Sequence, residues 1–79
     1  VNREEAKAEA HALAKKRGQP AAIFQRRLPG GTLVNDFSIQ TLYEEQPKPP
    51  YVHVMTVSTT GLERKHGPWA EPPAAKEGA

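Results

Sequence analysis

The sequence predicts an α+β fold, one N-terminal helix packed on a three- or four-stranded antiparallel sheet with a flexible C-terminal tail. Three observations carry that expectation. A helical segment with both ends marked opens the chain, two or three β-prone stretches separated by turn signals follow it, and the last dozen residues are nearly devoid of large apolar side chains.

NREEAKAEAHALAKKRG reads as the helix. The side chain of Asn2 accepts from free N–H groups of a first turn, and Glu5 stands three residues on, as a capping box requires. Gly18 supplies a left-handed terminating residue, and Pro20 forbids continuation. Ala6, Ala10, Leu13 and Ala14 share one face, a narrow stripe of mostly small side chains that allows close approach to a sheet.

AAIFQRRL, residues 21–28, is the first strand, and PGG at 29–31 the hairpin turn that ends it. TLVNDFSIQTL returns with Leu33, Phe37 and Ile39 on one face, and Asn35-Asp36 marks an expected bulge or kink. The connection YEEQPKPP cannot pair regularly, because its three prolines lack the N–H donor. YVHVMTVSTT is the third strand, expected at a sheet edge with His53, Tyr51 and Met55 on one face, and TTGLERKH turns into a short fourth. The expected core is Leu13, Ile23 or Phe24, Leu33, Phe37, Ile39, Val52 or Val54, and Val57. Residues 1–69 form the expected domain, and 70–79 a Pro/Ala-rich tail with too little apolar surface to offset its ordering entropy.

Helix followed by three strands is the element order of the double-stranded-RNA-binding domain without its last helix. That family's second helix opens with a lysine-rich phosphate clamp, whereas the corresponding residues here are GPWAEPPAAKEGA, so membership does not follow.

With 79 residues, a chain of this kind buries only about 60–65% of its unfolded surface, which leaves stability marginal and makes assembly with other subunits an expected source of support. It has no cysteine, which excludes disulfides, thiolate metal sites and cysteine nucleophiles, and points to a reducing interior. No run of 18 apolar residues is present, and the charged N-terminus has no apolar signal core, so the expected location is cytoplasmic, within a bacterial or host cell, or in a virion.

Charge is concentrated in KKRGQPAAIFQRRL, residues 15–28, with Lys15, Lys16, Arg17, Arg26 and Arg27 and no acid. The three at the helix end follow acids at its start, the polarity a helix dipole favours. Should Arg26 or Arg27 lie beside the helix end, the two groups merge into a phosphate-binding patch. Otherwise they are strand charges that discourage aggregation.

His11, His53 and His66 have no metal-ligand spacing. Ser38, Ser58, Asp36, Glu44, Glu45 and His53 lie in no triad, nucleophile elbow or paired-carboxylate context, and PGGT at 29–32 lacks the ending of a phosphate loop. Neither an enzyme nor a metal, cofactor or small-molecule site is therefore expected.

The expected function is a non-enzymatic protein-binding or structural accessory module, of the kind found in small bacterial or bacteriophage proteins that work within an oligomer or larger assembly. Tyr43, Tyr51 and Trp69 are its candidate contact residues. The alternative is nucleic-acid binding through the basic block at 15–28.

Overall fold

A computed structural model describes residues 2–70. One helix, α1 (Arg3–Arg17), lies on a sheet of four antiparallel strands, β1 (Ala21–Arg27), β2 (Leu33–Thr41), β3 (Tyr51–Val57) and β4 (Glu63–Lys65). A single 3-10 turn, Gly67–Trp69, follows. Residues 71–79, most of the expected tail, are outside the described residues.

Both helix ends form as their residues dictate. The Asn2 side chain accepts from the Glu5 N–H at 2.9 Å, and the Glu5 carboxylate accepts from the Asn2 N–H at 3.1 Å. Gly18 ends the helix at φ 65° and ψ 28°, donating to the Ala14 carbonyl. Ala6, Ala10 and Ala14 are fully buried, so the helix backbone sits close to the strands.

The strand order is β2-β1-β3-β4, with the two chain-adjacent hairpins at the outside. Leu28–Thr32 and Ser58–Leu62 turn identically: the first residue's carbonyl accepts from a glycine three residues on, at 2.8 and 3.0 Å, and its N–H donates to the carbonyl four residues on, at 2.8 Å in both. Gly31 and Gly61 each sit at φ 93°, a conformation costly to any residue with a Cβ.

β3 is thus an interior strand paired on both sides, which corrects the expectation of an edge. Because β2 and β3 both run antiparallel to β1, they run in the same direction, and residues 42–50 must travel the length of the sheet and cross β1. Nine residues extended span about 30 Å, ample for the five-residue run of about 17 Å from Ala21, opposite Thr41, to Arg26, opposite Tyr51, and the segment turns at both ends, where the Glu44 N–H donates to the Thr41 carbonyl and the Tyr51 N–H to the Lys48 carbonyl. The helix occupies one face of the sheet. Gln40, pointing away from it, holds the start of the connection by donating to the Glu45 carbonyl at 2.7 Å, so the crossing is made on the face opposite the helix.

Two irregularities decide what faces the helix. β2 shifts register opposite Gln25–Arg27, at the Asn35-Asp36 pair that the sequence marks as a bulge. β3 carries a second shift, since Ile23 pairs with Met55 but Phe24 pairs with His53. The extra residue, Val54, breaks the alternation, so Val54 and Met55 are both fully buried on the helix side. Met55 therefore does not share a face with Tyr51 and His53. The core joins the alanine stripe to Ala21, Ile23, Val54, Met55, Val57 and Trp69, with Leu13, Leu33, Phe37, Ile39 and Val52 packed at its margin. Phe24, 3% exposed, is buried against the opposite face.

Candidate functional site

The end of β1 farthest from the helix C-terminus builds a groove of about 500 Å³. β1 runs out through Arg26 and Arg27 into Leu28 and Pro29. The return of the crossing connection brings Pro49 and Pro50, joined by a cis peptide, alongside. The Arg27 N–H donates to the Pro50 carbonyl at 2.9 Å, which fixes this second wall against the first. Tyr51 and Val52 at the start of β3 complete an apolar lining bordered by two guanidinium groups.

The Tyr51 ring is held from across the sheet. Arg26 pairs directly with Tyr51 in the β1–β3 register, and both reach Asp36 on β2. The phenol donates to Asp36 Oδ1 at 3.0 Å, while Arg26 donates to Oδ2 at 3.4 Å. One carboxylate thereby locks an aromatic and a cation on three neighbouring strands. Accepting this hydrogen bond, with its own negative charge close by, Asp36 pushes the phenol of Tyr51 above the usual tyrosine range. Arg27, on the opposite parity, makes no side-chain hydrogen bond or ion pair among the described residues.

The remaining basic residues are elsewhere. Lys15, Lys16 and Arg17 are exposed in the last turn of α1, beside the start of β1. Five strand residues, about 17 Å, separate that end from Arg26, so the two groups do not merge into one patch. Arg17 faces the crossing connection, where Glu44 is held below the usual carboxylate range, first by hydrogen bonds from the Thr41 N–H and hydroxyl and then by Arg17.

Trp69 is not an exposed anchor. It is 8% exposed, seated beneath the first turn of α1, with Arg3 4.7 Å over its ring and Phe37 edge-on at 6.4 Å. Its indole N–H donates to Gln25 Oε1 at 2.9 Å. Tyr43, by contrast, is 75% exposed at the start of the crossing connection, away from the groove. Near that end lies a second open cleft, about 510 Å³, between Pro20, Leu42 and the exposed Leu62, with Arg64 and Thr56 on its wall.

The histidines divide between the two faces. His11 reaches from α1 to Glu63 of β4 at 2.6 Å, and that hydrogen bond holds the Glu63 carboxyl below its usual range. His53 and His66 stack on the opposite face with ring centroids 4.4 Å apart, a convergence their spacing does not announce. Among the described residues no group of three metal-ligating side chains comes together. Of the polar candidates for catalysis, three are tied to structural partners: Asp36 holds Arg26 and Tyr51, Glu44 caps Thr41, and Ser58 Oγ accepts from the N–H groups of its own hairpin turn.

No protein-family model, curated protein or solved structure matches this chain. Among the described residues no helix is long and apolar enough to cross a membrane.

Proposed function

We propose that the protein is a non-enzymatic binding module that holds an extended, acidic segment of a partner protein in the groove between the end of β1 and Pro49-Pro50. The observation that carries this reading is the pairing of an apolar proline-tyrosine lining with the unpaired guanidinium of Arg27 at its border. Prolines and a clamped tyrosine present apolar area that loses little conformational freedom on binding, and an arginine takes a carboxylate in a bidentate grip. The groove is a partly open surface feature and not an enclosed cavity, which suits a peptide segment better than a fully enclosed small molecule.

The nucleic-acid reading has less support. A phosphate-tracking surface needs a continuous basic line, whereas the cations of residues 15–28 stand at opposite ends of β1 and Arg26 is already engaged by Asp36.

Selection from a displayed library of random peptides tests the proposal. Enriched peptides are expected to carry Asp or Glu beside apolar residues, and to bind at least tenfold more weakly to Arg27→Glu and Tyr51→Ala variants than to the parent. Lys15→Glu/Lys16→Glu should bind them as the parent does. No enrichment, or peptides whose binding ignores Arg27 and Tyr51, would reject the groove as the site.

A further inference from the structure

The two edges of the sheet are unlike. β4 is three residues long and each of them, Glu63, Arg64 and Lys65, is charged, which blunts that edge against pairing. β2 is nine residues long and has a single charge, Asp36, already held by Arg26 and Tyr51. The strand order leaves its outer side without a neighbouring strand.

Which backbone groups of β2 point outward follows from its register. Leu42 donates to the Pro20 carbonyl at 3.0 Å, in line with the pairing that sets Thr41 opposite Ala21. Bonded and non-bonded pairs alternate along an antiparallel ladder, so Gln40 and Ser38 bond to β1, while Thr41, Ile39 and Phe37 turn their N–H and C=O groups outward. At Thr41 both are taken within the chain. Its N–H donates to Glu44 Oε2 at 3.2 Å, and its carbonyl accepts from the Glu44 N–H at 3.2 Å. Before Phe37 the bulge interrupts the regular ladder. Among the described residues nothing outside the sheet hydrogen-bonds to the backbone of Phe37 or Ile39.

These outward groups are self-complementary. A second β2 laid antiparallel against the first, with Ser38 on the two-fold axis, sets Phe37 opposite Ile39 of the second copy and Ile39 opposite its Phe37, so that every outward N–H of these residues meets a carbonyl. Moving the axis to Ile39 would set Phe37 against the occupied Thr41. Moving it to Phe37 would set Ile39 against the bulge at Asn35.

The side chains obey the same symmetry. Phe37 and Ile39 lie half-buried on the helix side, and Ile39 lines a shallow hollow of about 310 Å³ with Glu9, Ala12, Leu13 and Lys16 of α1. Pairing covers Phe37, Ile39 and Leu13 of each copy. It also sets the two helices antiparallel on one side of the sheet. Because Glu9 and Lys16 stand on either side of Leu13, the acid of one copy comes towards the lysine of the other. On the opposite face Asp36 meets Gln40 of the second copy, not another carboxylate.

We propose that the outer edge of β2 is a homodimer interface, at which two copies of this chain join into one continuous antiparallel sheet with both helices on the same side. The groove at the end of β1 takes no lining residue from β2, so neither reading rests on the other.

Ser38 faces its own copy at a non-hydrogen-bonded position, where Cα atoms stand about 4.5 Å apart, within reach of a disulfide. The chain has no cysteine of its own, so Ser38→Cys tests the register directly. Under mild oxidation the full-length Ser38→Cys protein is expected to form a disulfide-linked dimer at least about tenfold faster than Gln40→Cys, whose copies lie about 14 Å apart in this register, and than Arg64→Cys on the β4 edge. In sedimentation equilibrium between about 1 μM and 1 mM, the parent is expected to pass from monomer to dimer. Ser38→Lys and Ser38→Asp, which set like charges across the axis, are each expected to stay monomeric with unchanged far-UV circular dichroism, and an equimolar mixture of the two to recover the dimer. Ser38→Cys, nearly isosteric with the parent, keeps the test independent of any effect of those charges on folding. A parent that is monomeric throughout the range, Gln40→Cys or Arg64→Cys crosslinking as fast as Ser38→Cys, or a dimer that survives in both charge variants would each overturn the proposal.

Discussion

Gln25 lies buried between β2 and the Gly67–Trp69 turn, and both ends of its amide are used: the oxygen accepts from the Trp69 indole, and the nitrogen donates to the Val34 carbonyl at 3.0 Å. A leucine there would fill similar space but leave a buried indole N–H and a carbonyl without partners. Gln25→Leu is expected to cost about 1–3 kcal/mol, measurable by urea denaturation, despite its greater hydrophobicity. In the sequence Trp69 is a candidate contact residue because Pro68 and a Pro/Ala-rich tail flank it, and the alternative, a tryptophan that caps its own core, is what the fold contains. The signal that could have decided between them is a lone glutamine on the core parity of β1, waiting for a donor. A second residue-scale consequence follows from Asp36. Since its carboxylate raises the Tyr51 pKa, Asp36→Asn should let that phenolate form at lower pH than in the parent, as followed by ultraviolet absorbance in an alkaline titration.

At the scale of elements, the helix owes its position to what its buried stripe lacks. Ala6, Ala10 and Ala14 leave no room between backbone and strands, so Ala10→Leu should destabilise by about 1–3 kcal/mol through overpacking. Ala8→Leu, on the exposed side of the same helix, should stay within about 0.5 kcal/mol. Capping and spacing made this helix legible, because its determinants are local. β3 was not legible to the same degree. Its hydrophobic run, Val52, Val54, Met55 and Val57, fits no single alternation, and only pairing with β1 shows that Val54 is the bulged residue. Phe37, expected in the core, is half-buried at its margin, edge-on to Trp69. Its truncation to alanine is therefore expected to cost about 2 kcal/mol, below the 3–5 kcal/mol of a fully buried aromatic.

At the scale of the whole molecule, stability should fall as pH drops. His53 is harder to protonate folded than unfolded, so the unfolded chain binds more protons between the two values. The stabilisation is complete above about pH 6.5, the unfolded value, and is lost as pH falls toward the lower folded one. Thermal melts at pH 7.5 and 5.5 should show the lower midpoint at the acid end, with less difference in a His53→Gln variant. The order β2-β1-β3-β4 is also a property of this scale: the turn signals identify both hairpins, but nothing local in Leu42–Pro50 states that it crosses β1. That crossing brings Pro49, Pro50 and Tyr51 beside Arg26 and Arg27, which is why the groove was not visible as a unit in the sequence, although Tyr51 and both arginines were singled out separately. The central claim, that this end of the sheet binds a protein segment rather than nucleic acid, is tested most directly by one set of titrations. The parent and an Arg26→Ala/Arg27→Ala variant are each titrated with a library-selected acidic peptide and with generic duplex DNA, at low and at moderate salt. The account predicts peptide binding that is lost in the variant, together with DNA binding that is absent or weak at both salt concentrations. Strong DNA binding that falls steeply with salt and disappears in the variant would contradict it.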